Sequence, residues 1–243
     1  MYGWRGRIGL IVASTNRVAE MEAFRMLPSG VSVHFSRIPY AGTGTEEAQA
    51  KMLEALDSSA RVLAGSDETV AVDVIGLAHG SGTLSTTSGF DSMINERMAK
   101  LTGVPCITMS SAILKALKAL SVKKIGTATP LRTSSMLERM KAFMEANGFQ
   151  VVSTKKLDLE THYDVSGQPP ESAYRLMKSL NNKEVEAVVI NNANLRTLEI
   201  IEPLEQDIGK PVVTGNTALM WACLRAIGIR DRVTGGGRLF LQN

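Results

Sequence analysis

The chain repeats itself in order. Arg7-Ile8-Gly9 returns as Lys124-Ile125-Gly126. Val72-Asp73-Val74-Ile75-Gly76-Leu77-Ala78-His79 is echoed by Val185-Glu186-Ala187-Val188-Val189-Ile190-Asn191-Asn192. Gly103-Val104-Pro105-Cys106-Ile107-Thr108, with a helical pattern opening at Ser110, is echoed by Gly209-Lys210-Pro211-Val212-Val213-Thr214, with one opening at Asn216. The offsets are 117, 113 and 106 residues, so the echoes keep one order at nearly constant spacing. A chain with this pattern is constrained to two similar halves.

Each half alternates short apolar runs with helical patterns. The expected strands are Ile8–Ala13, Val31–Arg37, Val70–Ala78, Pro105–Met109, Lys124–Ala128, Phe149–Thr154, Glu186–Asn191 and Pro211–Thr214. Several are continuously apolar, as parallel strands covered on both faces are. The expected helices are 17–26, 45–65, 88–101, 110–120, 132–147, 170–181, 194–207 and 216–227. Strict alternation argues for an α/β fold with parallel sheets. A closed eight-stranded barrel alternates too, but has no need of a two-fold echo. The expectation is two similar Rossmann-like (flavodoxin-like) lobes with parallel four-stranded sheets, related by a pseudo-dyad. Residues 1–117 with 217–243 would form one lobe and 118–216 the other. Ligands of open α/β sheets bind beyond the carboxyl ends of the strands, so the loops after Ala13, Ala78, Ala128 and Asn191 would line a shared cleft.

Composition narrows the class. Apolar residues make up 44% and charged residues 21% of 243, which excludes disorder, collagen-like repeats and a disulfide scaffold. A net charge of +3 gives no argument for nucleic acid or a membrane surface. No apolar run approaches the roughly 18 residues of a membrane span. Ile8–Ala13 is short for a signal core and is followed at once by Ser14-Thr15-Asn16, so it reads as a buried strand. Two cysteines without a framework, beside twelve methionines, fit a reducing cytoplasm. The three histidines are not spaced as metal ligands, and no metal is expected.

The loops carry the candidate chemistry. Asn16 can bind a ligand carboxylate or cap the next helix, where Glu20 and Glu22 lie early. His79-Gly80-Ser81-Gly82-Thr83, continuing to Gly89, is the most informative stretch. Its glycines admit a ligand close to the backbone, and its N–H groups and hydroxyls can hold an anion or oxyanion. It is neither a P-loop nor a dinucleotide fingerprint. His79 can move protons near neutral pH, or it can merely bond a backbone carbonyl. Thr129, Thr133 and Arg132 follow the fifth strand as candidate donors or as caps and solvated charge. His162 and Tyr163 sit in a loop too polar for core. Asn191, Asn192, Ala193 and Asn194 end the seventh strand; amides there need partners, and Asn192 stands where His79 stands in the other half. His34, on an alternating strand, reads as structural. The glycines of Thr234–Gly237 followed by Arg238-Leu239-Phe240 read as a tail docking on the first lobe.

Together these residues resemble maleate cis–trans isomerases and arylmalonate decarboxylases, of the Asp/Glu racemase superfamily. The likeness is carried by Ile8-Gly9-Leu10-Ile11-Val12 with Ser14-Thr15-Asn16-Arg17-Val18 and Glu20, by Gly30-Val31-Ser32-Val33-His34, Ser36-Arg37-Ile38 and Asp73-Val74-Ile75. It continues in Ser81-Gly82-Thr83, Thr129-Pro130, Pro169-Pro170-Glu171, Asn194-Leu195-Arg196-Thr197 and Gly237-Arg238-Leu239. It spans nearly the whole chain. The resemblance implies two α/β lobes, no cofactor, no metal and a small carboxylate or carbonyl substrate in the cleft; a homo-oligomer, dimer or tetramer, suits it. It also implies a cysteine after the matching strand of each lobe, or a glycine and a cysteine in the decarboxylases. Here those positions are His79 and Asn192. Leu131 stands for the family tyrosine, and His162 for an asparagine. Cys106 and Cys223 fall in a strand and a helix and do not replace the missing thiols.

What survives is one-base chemistry. A carboxamide does not titrate, so Asn192 cannot carry a proton, and thiol mechanisms lack their groups. The expected catalytic set is His79, His162 and Asn192. Asn16, Gly80, Ser81, Thr83, Thr129, Ala193 and Asn194 are expected to bind substrate. The expected reaction is cofactor-free proton transfer: isomerisation, decarboxylation or another lyase step. Hydrolysis of a small amide, lactam or lactone fits the same groups, as does a binding protein that has lost the chemistry.

Overall fold

The computed structural model describes residues 2–40, 45–65, 72–84 and 89–242, with the side chains of Gln49 and Ser81 outside that description. Val70 and Ala71 of the third expected strand, and Ser85–Ser88 of the loop after His79, also lie outside the described residues.

Eight strands form two parallel sheets of identical order. The first joins β1 (Gly6–Ala13), β2 (Val31–Ile38), β3 (Val74–Ala78) and β4 (Cys106–Thr108) as β2-β1-β3-β4. The second joins β5 (Lys124–Leu131), β6 (Gln150–Leu159), β7 (Ala187–Ile190) and β8 (Val212–Thr214) as β6-β5-β7-β8. The internal echo is thus a repeated topology: β1 matches β5, β3 matches β7, and β4 matches β8. β3 and β7 are buried at every residue, whereas the edge strands β2 and β6 are mostly half-buried or exposed. Covered central strands need apolar side chains on both faces; edge strands do not.

Helices connect the strands. They are α1 (Ala19–Arg25), α2 (Glu46–Ala64), α3 (Gly80–Thr83), α4 (Phe90–Thr102) and α5 (Met109–Ala119) in the first half. In the second they are α6 (Ser134–Ala146), α7 (His162–Ser166), α8 (Pro170–Lys178), α9 (Ile201–Ile208) and α10 (Gly215–Ala226). Local signals mark their ends. Gly103, at φ 74°, stops α4, and Pro170 opens α8, where a missing N–H costs nothing. The long apolar α10 leaves the second sheet at β8, lies on β3 of the first and packs along α5. One apolar core therefore runs through both lobes, from Leu10 and Val12 through Ile113 and Leu219 to Val188. A second core lies between α2, α4 and the other face of the first sheet.

Three expectations are corrected. The loop after Ala128 is strand: β5 continues through Thr129 and Pro130 to Leu131. Pro130 is tolerated because β7 pairs only as far as Ala128, and the register with β6 shifts there. Helix 194–207 is instead an irregular turn, a 3-10 turn at Leu198–Ile200, and then α9. The C-terminal 3-10 turn Gly237–Leu241 docks on α9 and β8 of the second half as well as on α10, not on the first lobe alone, and Glu205 accepts from the Arg238 N–H. Among the described residues no helix is long and apolar enough to cross a membrane.

Candidate active site

The carboxyl ends of β1, β3 and β7 meet at a cleft with an empty volume of ≈ 350 Å³, including its open mouth. β1 supplies Thr15 and Asn16, β3 supplies Ala78, His79 and Gly80, and β7 leads into Asn191–Asn194. Tyr40, beyond β2, and His162, the first residue of α7, complete the wall. Three of the four expected loops converge. The fourth is absent because β5 runs on past it.

His79 is 5% exposed. It caps the short α3: its Nδ1 accepts from the Gly82 N–H at 2.9 Å. A Cβ on Gly82 would sit 2.7 Å from that nitrogen, so glycine is required for the cap to form. Burial, and then the neighbouring His162, pull the His79 imidazole down to about 4; the ring is neutral at physiological pH. His162 is held less deeply, and burial lowers it as well. The Tyr40 ring touches both, 5.9 Å from His79 and 4.7 Å from His162 between ring centres.

The asparagines are spent largely on structure. Asn16 Oδ1 accepts from the Val18 and Ala19 N–H groups, both at 2.9 Å, and its amide donates to the Ala193 carbonyl at 3.0 Å. Asn16 thus caps α1 and still lines the cleft, with its second amide N–H uncommitted among the described residues. Asn194 accepts from the Arg17 N–H and donates to the carbonyls of Thr15 and His162. It staples the two lobes and seats His162, and both of its amide N–H donors are spent on those carbonyls. Asn192 Oδ1 accepts from the Asn194 N–H at 2.8 Å; its amide nitrogen has no partner among the described residues. Ala193 lines the cleft, but its carbonyl is shared between Asn16 and Asn216.

A polar chain runs from the cleft wall into the core. Asn191 Nδ2 donates to Ser110 Oγ at 3.0 Å, which lies 2.7 Å from Thr83 Oγ1. Thr83 Oγ1 also lies 3.3 Å from the Gly80 carbonyl, and either hydroxyl can donate in the Ser110 pair. Behind them Thr108 donates to Asp91. Burial pushes the Asp91 carboxyl up to about 6, against the Thr108 and Thr83 hydroxyls, which favour its charge. This chain fixes Asn191, whose Oδ1 is buried against Gly80; a Cβ on Gly80 would strike it and the Asn191 carbonyl.

Thr83 and Thr129, expected to bind substrate, are buried away from the cleft; Thr129 Oγ1 accepts from the Leu131 N–H. Tyr163 lies outside, beneath the Arg17 guanidinium, Arg132 pairs with Asp158 and Glu160 at the surface, and His34 meets Ser32 on the exposed edge strand. Sequence reasoning missed Tyr40, which follows an edge strand and carries no motif. It also missed Glu22, a buried carboxylate that accepts from the Thr197 and Leu198 N–H groups and from the Asn216 amide. Burial pushes both thiols up, Cys106 to about 11 and Cys223 to about 12, so neither is a nucleophile. Among the described residues no cluster could hold a metal ion.

The family model for arylmalonate decarboxylase matches residues 8–240. The chain is 27% identical to a maleate isomerase of Nocardia farcinica, over 98% of this chain and 96% of that protein. It is 25% identical to an arylmalonate decarboxylase of Bordetella bronchiseptica, over 96% and 95%. Its fold matches the crystal structure of a maleate isomerase from Pseudomonas putida S16 with maleate, at a TM-score of 0.87, 26% identity and 97% coverage of each chain.

Proposed function

Because the chain belongs to the arylmalonate decarboxylase family, we propose that it is a cofactor-free enzyme that moves a proton at a carbon beside a carboxylate or carbonyl group. His79 stands where the resemblance places a cysteine or glycine, and His162 is the second imidazole of the same cleft. One observation carries this reading. His79, at the β3 terminus where the resemblance places a cysteine or glycine, shares one small cleft with His162. The matching end of β7 offers only the Asn191 and Asn192 amides. Neither cysteine can act in its place, since both are protonated and buried or half-buried. General acid–base catalysis by a placed imidazole contributes about 10²–10⁴-fold, which suits a carbon already acidified by its neighbours. The cleft's size favours small acids.

The test is proton NMR in D₂O with a panel of maleate, malonates, hydroxy and keto acids, and amino acids. Deuterium entering at carbon, or loss of carbon dioxide from a malonate, is expected with the wild-type protein and not with His79→Leu. Consumption of a lactone or cyclic amide added to the panel, without deuterium at carbon, would refute the reading in favour of hydrolysis.

A further inference from the structure

We infer that the two imidazoles divide the work: His79 is locked as the neutral Nε2–H tautomer and donates a hydrogen bond to substrate, while His162 takes and returns the proton. This rests on the proton-transfer reading above and assigns its roles.

The assignment follows from the cap on α3. The Gly82 N–H points at His79 Nδ1 from 2.9 Å, and an N–H donor admits only a lone pair opposite it. Reversing the ring would put a carbon there. The ring proton of neutral His79 is therefore on Nε2. That atom has no protein partner among the described residues, although the ring lines the cleft. For Nε2 to act as a base, the proton would have to sit on Nδ1, facing the Gly82 N–H donor to donor. A charged His79 would meet the same conflict, and its burial also holds it neutral. Neutral imidazole used as a hydrogen-bond donor is an established catalytic device.

His162 is the complement. Its carbonyl is tied to the Asn194 amide at 2.8 Å, which fixes the start of α7, but its ring nitrogens have no partner among the described residues. It is half-buried rather than sealed. Tyr40 and His79 are the other titratable groups lining the cleft. Burial lowers His162, so a lone pair is free at neutral pH. The step balances without a co-reactant. The C–H bond beside the substrate carbonyl or carboxylate breaks, and its proton goes to the His162 lone pair. The electron pair passes to oxygen, and the enolate oxygen accepts from His79 Nε2–H. The proton then returns from His162 to carbon.

The experiment is long-range ¹H–¹⁵N correlation on wild-type protein labelled at its three histidines, assigned by elimination with His34→Gln and His162→Gln. The expected spectrum shows His79 with bare Nδ1 and protonated Nε2 down to about pH 5, with His162 taking up a proton first. An Nδ1–H tautomer of His79, an imidazolium above about pH 5, or protonation of His79 ahead of His162 would overturn the assignment. Deuterium exchange on any responsive acid of the panel adds a second readout. His162→Gln is expected to slow it about 10²–10⁴-fold. His79→Gln, which can accept from Gly82 and still donate, should stay within about tenfold of wild type, against about 10²–10³ for His79→Leu. Equal loss in both His79 variants refutes the donor role. If no acid exchanges while the spectrum is as expected, the activity proposed above fails and the tautomer stands.

Discussion

Asp91→Asn is the substitution whose consequence can be worked furthest from the structure. Asp91 is 6% exposed, and its carboxyl is pushed up from 3.8 to about 6 by burial. The folded protein therefore holds this proton more tightly than the unfolded chain. Stability contributed by the protonated form is present below the unfolded value and is lost as pH rises through the folded one. The window runs from about pH 4 to about pH 6. A shift of about two units at about 1.36 kcal/mol each amounts to about 3 kcal/mol. Asparagine keeps an acceptor for the Thr108 hydroxyl and has no proton to release, so it lacks this slope. Its fixed cost cancels when one variant is followed across pH. Urea unfolding of both proteins between about pH 4 and about pH 7.5 should show wild type losing about 2.5 kcal/mol relative to the variant, with most of the change below about pH 6.5. Parallel curves, or a wild type that gains on the variant as pH rises, would refute the account of Asp91 as a desolvated carboxyl.

Two further outcomes follow from buried groups. Glu22→Ala strands the Thr197 and Leu198 N–H groups and the Asn216 amide in the core, and should cost at least about 1–3 kcal/mol, the penalty of one unsatisfied buried donor, in urea unfolding at pH 7; a loss below about 1 kcal/mol would mean that these donors find water. Cys106 and Cys223, raised to about 11 and about 12, should resist alkylation by iodoacetamide in native protein at pH 8 and react fully once unfolded. Rapid native labelling at Cys223 would contradict its burial.

The fold was legible because its signals are local and repeated. Continuous apolar runs mark β3 and β7, and echoed triplets mark β1 and β5; these patterns need no tertiary information. The site was half legible. His79 and His162 stood out as titratable groups in polar loops, and both line the cleft. Thr83 and Thr129 were misplaced because a hydroxyl near a strand end looks the same whether it faces ligand or core. Thr83 turns inward to Ser110, and Thr129 stays in a strand that runs on through Pro130. Tyr40 and Glu22 each contact a residue more than a hundred positions away, so nothing near them in the chain announces them.

Sequence alone determined that this protein would be two like α/β lobes with a cleft between strand ends, since periodicity and repetition are properties of neighbouring residues. The tertiary structure alone decided what each cleft group can do. Which nitrogen of His79 holds its proton depends on where the Gly82 N–H points. Whether Asn16 and Asn194 remain free for a ligand depends on the backbone of the facing lobe. Hydrogen-bonding capacity is finite, and only the folded chain shows how it is shared out.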